Sequence, residues 1–371
     1  MINVLIIGSD GFLGKNLSFS LLEKNINLLK IKKKTSSNII KKFLLEADLI
    51  FFFAGVNRPK KNESYRQNYQ LVQKICNILI KKRIKRTIVY SSSSQILVDN
   101  PYGKSKKKSE EILMKYSKKL KSKLYIYRLP NIFGKWSKPN YNSVVSTFCY
   151  NVSRQKKIFV SDPKKKINLV YIDDVIESFV KIILNYKKDF SKKNIIKIKN
   201  IITISLGKLA NIIKSFEVNR KKIMIENFSS RFIKNLYSTY ISFLPKKSFC
   251  YSLKSHKDTR GSFTEFIKSK FSGQVSFFTS RPGVSRGFHF HNSKVEKFVV
   301  LLGTAKFVMQ DISSNKKFIK ILNYKTTEVL ETIPGYTHYI KNIGKNELLV
   351  LLWSSEIFKK NKPDTISYEK N

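Results

Sequence analysis

A tyrosine and a lysine four residues apart, next to a row of serines, have the types and spacing for proton transfer to a ketone. Tyr102 and Lys106 stand near the start of a predicted helix, where this spacing places both side chains on one face. Residues 91–94, all serines, end the preceding predicted strand. An ammonium group lowers the pKa of a neighbouring phenol, and a serine hydroxyl can position a substrate carbonyl. The spacing therefore predicts the proton relay of a hydride-transfer enzyme.

A second group of residues has the composition and spacing of a metal site. The chain has four histidines, and three of them, His289, His291 and His338, fall in one pattern with Glu296. His289 and His291 alternate on a predicted strand, so both face one side, and the other two can reach the site from neighbouring strands. Three imidazoles and a carboxylate suit zinc, iron, manganese or nickel. We expect a divalent metal, with zinc as the first choice, bound by all four residues.

The same pattern leaves open which residue would act as a base. His289 cannot easily be both ligand and base, because a metal occupies the lone pair that a base needs. Either the other three residues hold the metal and His289 takes the proton, or His289 is a ligand and the base is Tyr336 or Lys297. We favour the second arrangement, with four ligands.

The N-terminal segment predicts a dinucleotide site. Three glycines form GxxGxxG directly after the first predicted strand and at the start of a helix. In that context glycines allow a tight turn, close approach of the backbone to a pyrophosphate, and packing of the helix on the strand. The residues expected to contact the cofactor here are Gly8, Gly11, Phe12, Leu13 and Gly14.

The next loop indicates which nicotinamide cofactor is used. NAD-specific folds carry an acidic residue after the second strand, where it binds the ribose hydroxyls. This chain has Lys32, Lys33 and Lys34 there, followed by hydroxyl side chains at residues 35–37. Cations and hydroxyls favour the additional phosphate of NADP, so we expect NADPH.

The elements that must position these residues change in character along the chain. Up to about residue 185, short β-branched or aromatic runs alternate with amphipathic stretches, which predicts a Rossmann-type doubly wound parallel sheet. After about residue 245, short strands are broken by Gly, Asn and Pro, which predicts an all-β domain. We place the domains at 1–246 and 247–371. The predicted strands are 2–7, 26–31, 48–53, 86–91 and 123–129, and the helices are 63–82, 104–119, one after Asp173 and one from about Ser205.

Composition excludes two classes of partner. The net charge of +47 suggests nucleic-acid binding, but Lys, Ile and Asn are enriched along the whole chain rather than in one basic patch. Apolar runs are much shorter than the roughly 20 residues of a membrane span. Three scattered cysteines fit a reducing compartment. We therefore expect a cytoplasmic protein without nucleic-acid or membrane partners, and a homodimer.

The N-terminal motifs resemble the extended short-chain dehydrogenase/reductase family over about residues 1–245. Further similar segments are 53–55, 128–134 and 171–175. The resemblance implies that Ser93, Tyr102 and Lys106 are catalytic, although Ser92 or Ser94 could supply the hydroxyl, since only nine positions separate Ser93 from Tyr102. It also implies cofactor contacts by Ala54 and Gly55 beside the adenosine, and a sugar-nucleotide contact by Asn131.

The C-terminal pattern is similar to the cupin family, which has a jelly-roll fold. The spacing from Gly283 to Gly303 matches the first cupin motif, and the segment around His338 resembles the second. Segments 258–263 and 286–289 resemble cupin-type deoxysugar epimerases, in which a histidine is the base.

Together the two halves resemble bifunctional capsular polysaccharide enzymes over the full length, including segments 54–59, 236–240 and 361–365. The resemblance implies that the cupin epimerises carbon 3 of a UDP-4-keto-6-deoxy-HexNAc. The first domain would then reduce the carbon-4 ketone with NADPH to UDP-2-acetamido-2,6-dideoxy-L-talose, on the way to UDP-N-acetyl-L-fucosamine. Asn57 and Arg58 would contact this substrate.

Two other interpretations predict different features. One alternative is an NAD-recycling dehydratase or epimerase with a structural or oligomerising cupin. A dehydratase would need an acidic pair just beyond the serine row, and residues 94–96 have none. A basic, surface-binding protein without enzymatic activity would need arginine-rich or aromatic-interleaved basic stretches, which we do not find.

Overall fold

A computed structural model describes residues 1–59, 64–141, 143–187, 194–359, 361 and 364–368. The chain divides into two compact units. The first contains Met1–Lys214 and Lys234–Pro245, and the second contains Ser215–Ile233 and Lys246–Asn371. The expected domain boundary after residue 246 stays a prediction.

The first part of the chain alternates strands and helices. Its elements, of which the last two helices contain residues of both units, are β1 (Ile2–Ile7), α1 (Phe12–Ser20), β2 (Ile26–Ile31), α2 (Ser37–Glu46), β3 (Leu49–Phe52), α3 (Arg66–Lys81), β4 (Thr87–Ser93), α4 (Pro101–Leu120), β5 (Leu124–Leu129), β6 (Asn131–Phe133), α5 (Val144–Val152), β7 (Lys166–Tyr171), α6 (Ile172–Leu184), β8 (Ile195–Ile196), β9 (Ile202–Ser205), α7 (Leu206–Lys221) and α8 (Arg231–Ile241).

Six of these strands form a parallel sheet in the order β2-β1-β3-β4-β5-β8. Its central strands are apolar on both faces, as expected where helices cover both sides of a sheet. Leu5 and Ile7 of β1 belong to one buried cluster, and the alternating Val4 and Ile6 belong to another. The sheet is therefore doubly wound, as predicted. A smaller sheet has the order β6-β7-β9.

The order of the strands determines where a ligand can bind. β1 lies between β2 and β3. The chain therefore runs from β1 to β2 on one side and then crosses back to β3 on the other side of β1. In open α/β sheets the crevice at such a switch point, at the carboxyl ends of the strands, is the binding site. Gly8 follows β1 directly, and residues 53–55 follow β3.

The second unit contains two antiparallel sheets, in the orders β10-β11-β12-β19-β14-β17 and β16-β15-β18-β13-β20. The apolar core between them includes Phe298 from one sheet and Phe307 and Ile340 from the other. This packing of two sheets confirms the all-β jelly-roll. The strands are β10 (Ser255–Asp258), β11 (Gly261–Ser269), β12 (Gly273–Ser280), β13 (Ser285–Phe290), β14 (Glu296–Leu302), β15 (Thr304–Asp311), β16 (Lys317–Asn323), β17 (Leu330–Glu331), β18 (Tyr336–Asn342), β19 (Leu348–Ser354) and β20 (Ile366–Ser367).

The five predicted strands are confirmed as β1 to β5, with ends that differ by at most two residues. The predicted helix 63–82 corresponds to α3, although residue 63 lies outside the described residues. Ser205 caps α7 as expected, since its hydroxyl accepts the N–H of Lys208 at 3.3 Å. Sequence periodicity missed α2, α5 and α8. Among the helices described, none is long and apolar enough to span a membrane.

Candidate functional site

A cleft of about 1280 Å³ lies at the carboxyl edge of the parallel sheet. It is lined by residues that follow β1, β3, β4 and β5, so four separate chain segments meet there. The predicted site residues that line it are Gly11, Phe12, Leu13, Gly55, Asn57, Arg58, Ser93, Tyr102, Lys106 and Asn131. Lys32 lines a smaller neighbouring pocket of about 410 Å³, and Lys33 is exposed on the same turn.

The glycines of the first turn hold helix α1 close to the sheet. Gly8 has φ of +90°, and a Cβ there would lie 2.7 Å from the backbone nitrogen of Ala54. A Cβ on Gly14 would lie 2.3 Å from the carbonyl oxygen of Gly8. Gly11 is the N-cap of α1 and offers no side chain to cap the helix. Amide groups at such a helix start are suited to binding a phosphate.

Lys106 is buried beneath the cleft. Its Nζ donates to the carbonyl oxygen of Ser91 at 2.7 Å and to the hydroxyl of Tyr90 at 3.2 Å. Burial lowers the pKa of Lys106 to about 8, and the carboxylate of Glu110 acts in the opposite direction. The ammonium group is therefore held by neutral partners in a position that disfavours its charge.

Tyr102 differs from expectation in its acidity. Burial raises the pKa of Tyr102 to about 12, and its hydrogen-bond neighbour, the Ser93 hydroxyl, only partly counteracts this. The predicted lowering of its pKa by Lys106 is wrong for the chain without cofactor, because the lysine is directed toward Tyr90 and the Ser91 carbonyl. At neutral pH Tyr102 keeps its proton.

The structure separates the three candidate serines by their contacts. Ser93 is buried and interacts with the Tyr102 side chain. The Ser92 hydroxyl donates to the carboxylate of Glu110, and Ser94 is exposed. Ser93 is therefore the serine placed to act with Tyr102.

Sequence reasoning missed a buried ion pair behind this group. Glu110, whose side chain is 3% exposed, pairs with Arg128 of β5 at 2.7 Å. The same carboxylate accepts the Ser92 hydroxyl, which links α4 to the end of β4. Glu110 lies four residues after Lys106 on one face of α4, and that spacing was the available signal.

Asn68 was also missed. Its side-chain oxygen accepts the N–H of Val56 at 2.6 Å, and its amide donates to the Val56 carbonyl at 3.1 Å and to the Ser105 hydroxyl at 3.0 Å. Asn68 therefore holds the loop after β3, which carries Gly55 and Asn57, against helix α4.

The predicted substrate residues Asn57, Arg58 and Asn131 line the cleft. The N–H of Asn57 is 3.4 Å from the hydroxyl of Tyr141, and its carbonyl accepts the hydroxyl of Tyr65 at 3.3 Å. Asn131 donates to the carbonyl of Asn168 at 3.2 Å. These bonds hold the backbone of Asn57 and the side chain of Asn131 in place beside the cleft.

In the second unit, the four predicted metal ligands come together. His289, His291, Glu296 and His338 offer ligand atoms that all lie within 4.8 Å of one another. All except the half-buried His289 are buried. His289 is paired with His338 across β13 and β18, and Glu296 begins β14 in the other sheet.

The charge state of the cluster suits a metal. Burial lowers the pKa of His289 to about 4. Burial opposes ionisation of Glu296, but His291, His338 and Lys294 hold its pKa well below the usual range. Buried imidazole nitrogens of His291 and His338 have no well-aligned hydrogen-bond partner among the described residues. Imidazole nitrogens gathered around a carboxylate form a ligand set that suits a divalent cation.

The two alternative bases lie in different places. Lys297 follows Glu296 on β14 and points to the other face of the strand, where it is exposed and pairs with Glu331. Lys297 is therefore excluded as a base at the cluster. Tyr336 is two residues before His338 on β18, so it shares the face of that strand that carries the metal ligand.

A bulge brings Arg286 to the same wall as the cluster. Arg286 is paired with Ile340 and His289 with His338, and the register shifts between them. Because Ile340 and His338 share one face of β18, Arg286 and His289 share a face as well. The bulged Phe288 has φ of +62°.

Arg286 has capacity left for a ligand. Its guanidinium lies over the ring of Phe278, 5.6 Å from the centroid, and is 3.5 Å from a carboxylate oxygen of Asp258. The Nε of Arg286 is buried without a hydrogen-bond partner among the described residues. A negatively charged or carbonyl oxygen of a substrate would satisfy it.

Both the N-terminal and the C-terminal part of the chain match known protein families. The model of the NAD dependent epimerase/dehydratase family matches residues 4–198, and that of the polysaccharide biosynthesis C-terminal domain matches residues 256–366. The chain is 40% identical to the UDP-2-acetamido-2,6-beta-L-arabino-hexul-4-ose reductase of Pseudomonas aeruginosa, over 98% of this chain and 97% of that protein.

Two solved structures are similar to this chain over its whole length. The crystal structure of the capsular polysaccharide assembling protein CapF from Staphylococcus aureus has a TM-score of 0.90 and 35% identity, with 100% of both chains covered. A structure of CapF with the inhibitor 3-isopropenyl-tropolone has a TM-score of 0.87 and 33% identity, again over 100% of both chains.

Proposed function

Because the chain belongs to the NAD-dependent epimerase/dehydratase family and is related to CapF over its full length, we propose that it is a bifunctional UDP-sugar enzyme of capsule or O-antigen synthesis. The cupin epimerises carbon 3 of a UDP-4-keto-6-deoxy-HexNAc, and the first domain reduces the carbon-4 ketone to UDP-2-acetamido-2,6-dideoxy-L-talose. This product leads to UDP-N-acetyl-L-fucosamine. The relative from Pseudomonas aeruginosa supports the substrate class, since its name describes a reductase of a UDP-linked hexul-4-ose.

The observation that carries the reductase proposal is that Ser93, Tyr102 and Lys106 line the same cleft as the glycine turn. Ser93 holds the ketone oxygen by a hydrogen bond. Tyr102, which is protonated because its burial raises the pKa to about 12, donates a proton to that oxygen. Lys106 holds the nicotinamide ribose. When bound, NADPH supplies the hydride.

The proposed cofactor contacts come from three segments of the first domain. The amides at the start of α1 bind the pyrophosphate through the turn that contains Gly8, Gly11, Phe12, Leu13 and Gly14, and Ala54 and Gly55 lie beside the adenosine. Lys32 and Lys33 bind the ribose phosphate of NADPH. Lys32 is 3.4 Å from Asp10 in an exposed pair, and such pairs are weak enough to exchange for a phosphate.

For the epimerase we propose that His289, His291, Glu296 and His338 hold zinc. When bound, the metal supplies a positive charge that stabilises an enolate. Arg286 would bind a substrate oxygen, and the Tyr336 oxygen, in its ionised form, would take the proton from carbon 3. Return of a proton from solvent to the opposite face of carbon 3 would complete the epimerisation. The support for this assignment is that the four ligand atoms lie within 4.8 Å of one another, and that buried nitrogens of His291 and His338 have no well-aligned hydrogen-bond partner among the described residues.

The test uses the full chain with a UDP-4-keto-6-deoxy-HexNAc in deuterated water. Without NADPH, mass spectrometry should detect solvent deuterium at carbon 3, because the neighbouring ketone makes that proton removable. On addition of NADPH, the cofactor should be consumed and a reduced sugar formed. If added NADPH were not consumed and no reduced sugar formed, the reductase assignment would fail, and an NAD-recycling dehydratase or epimerase would be favoured instead. The homodimer and the cytoplasmic location stay predictions.

A further inference from the structure

The C-terminal segment of the second unit reaches the metal cluster from far along the chain. β20 pairs with β13 through His289 with Ser367 and Phe290 with Ile366. Beyond it, the N–H of Tyr368 donates to the carbonyl of Phe288 at 3.0 Å. The strand is only two residues long, and both of its side chains are exposed. Apolar burial by β20 therefore contributes little to holding the segment in place.

Asp364, just before β20, binds the loop between two metal ligands. Its carboxylate accepts the backbone N–H groups of Asn292, Ser293 and Lys294 at 2.9, 2.8 and 2.9 Å, and the Ser293 hydroxyl at 3.0 Å. These residues lie between His291 and Glu296 in the chain. One carboxylate thus determines the conformation of the loop that spaces the two ligands.

The same segment contacts the ligands more directly. The backbone carbonyl of Asp364 accepts a hydrogen bond from Nδ1 of His291. A carbonyl can only accept, so Nδ1 carries a proton and Nε2, which lies 3.2 Å from Glu296, is the nitrogen directed toward the cluster. Thr365 accepts a bond from Nζ of Lys294 at 3.0 Å, and that Nζ is also 3.0 Å from Glu296.

We propose that Asp364 and Thr365 form a latch that completes the metal site, so that docking of the C-terminal segment and metal binding strengthen each other. Asp364 is a positioning residue in this proposal, since it acts on His291 and on the loop to Glu296 rather than on the metal. Such coupling is reciprocal, because any contact that makes the ligands better arranged for the metal is itself strengthened when the metal binds. The proposal rests on the metal site proposed above and is independent of the epimerase reaction.

The experiment measures zinc affinity of the full chain by competition with a chromophoric chelator. Asp364→Ala should weaken binding by about 10- to 100-fold, as removal of groups that orient metal ligands does. Asp364→Asn retains one accepting oxygen and should lie between Asp364→Ala and the wild type. The matched control is Asp311→Ala. Asp311 likewise accepts bonds from backbone N–H groups and hydroxyls, those of Ser313 and Ser314, in the same unit, and has no hydrogen bond to any of the four ligands.

Hydrogen exchange of the wild type provides a second measurement that needs no variant. Zinc should slow exchange of the amides of residues 292–294 and 368, and leave the turn at residues 313–314 unchanged. Equal zinc affinities of the Asp364→Ala and Asp311→Ala chains would overturn the latch alone. The same would follow if zinc did not change the exchange rates of the amides of residues 292–294. Failure of the wild type to bind zinc would overturn the metal site and the latch together.

Discussion

Lys106 lines the cleft but is almost fully buried. The residue is 3% exposed, and its hydrogen-bond partners are a phenol and a backbone carbonyl, both neutral. Burial lowers its pKa to about 8, although Glu110 partly compensates. A buried, perturbed lysine beside a tyrosine and a serine in a cleft is typical of a functional site rather than of a stabilising one.

This burial gives Lys106 a defined effect on stability. Its pKa is about 8 when folded against 10.5 as the ordinary value, so between these pH values the unfolded chain holds a proton that the folded chain has released. Stability of the wild type without cofactor should therefore rise with pH in this window, by up to about 3 kcal/mol, relative to Lys106→Met.

The measurement is the free energy of unfolding in denaturant from pH 7 to 10.5, for the wild type, Lys106→Met and the control Lys104→Met. Lys104 lies on the same helix, and its side chain is 71% exposed. If the difference between wild type and Lys106→Met did not change with pH, Lys106 would not be the titrating group.

The Tyr102 hydroxyl is the proposed proton donor in the reduction, and this role can be tested separately from cofactor binding. Tyr102→Phe removes the proton donor but keeps the ring, whose centroid is 6.0 Å from that of Tyr65. Turnover of the keto-sugar with NADPH should fall by at least about 100-fold, while binding of NADPH, followed by fluorescence titration, stays close to that of the wild type. Tyr69→Phe on α3 is the control for loss of a tyrosine hydroxyl, because the Tyr69 ring contacts Lys108 and is not among the residues that line the cleft. Near-normal turnover in Tyr102→Phe would place the proton donor elsewhere.

At the level of secondary-structure elements, the lysines and the hydroxyl side chains of the turn between β2 and α2 have different roles. Thr35 accepts the N–H of Lys32 at 2.9 Å, and Ser36 caps α2 by accepting the N–H of Ile39 at 3.4 Å. Both hydroxyls therefore stabilise local structure. The preference for a ribose phosphate then depends on the lysines, of which Lys32 lines the pocket beside α1.

Charge reversal tests this turn. The wild type should prefer NADPH to NADH in kcat/KM, and Lys32→Glu should lower kcat/KM for NADPH by about 10-fold or more while changing that for NADH much less, since only NADPH carries the phosphate. Lys42→Glu on α2, where Lys42 is exposed beside Glu46, controls for the change in net charge. Equal use of both cofactors by the wild type would contradict the NADPH assignment.

At the scale of the whole molecule, the chemistry sets the order of the two proposed reactions. Only the ketone makes the proton on carbon 3 removable, so epimerisation must precede reduction. The relay and the histidine cluster belong to different units of the chain. Each unit should therefore retain its own reaction when the other site is disabled.

Two variants of the full chain test this separation. Tyr102→Phe should still exchange the carbon-3 proton with deuterated water, whereas a chain carrying both His291→Ala and His338→Ala should lose the exchange and still bind NADPH. The readouts are deuterium content by mass spectrometry and NADPH binding by fluorescence. Exchange that survives in the double variant would remove the cupin from the reaction.

The amino-acid sequence by itself determined the features that depend on local spacing. Short apolar runs and helical periodicity are properties of single elements, so strands β1 to β5 and the shared face of Tyr102 and Lys106 could be predicted. The glycine turn could be recognised because its residues are close together in the chain. The histidine pattern could be recognised because the chain has only four histidines.

Only the tertiary structure decided which elements are neighbours. Glu110, Ser92 and Arg128 lie on α4, β4 and β5, and the order of the sheet brings them into one buried group. Asp364 reaches His291 across 73 positions of the chain. Local periodicity states which residues share a face of one element, but the partner of that face depends on how distant segments pack, and no spacing along the chain encodes that directly.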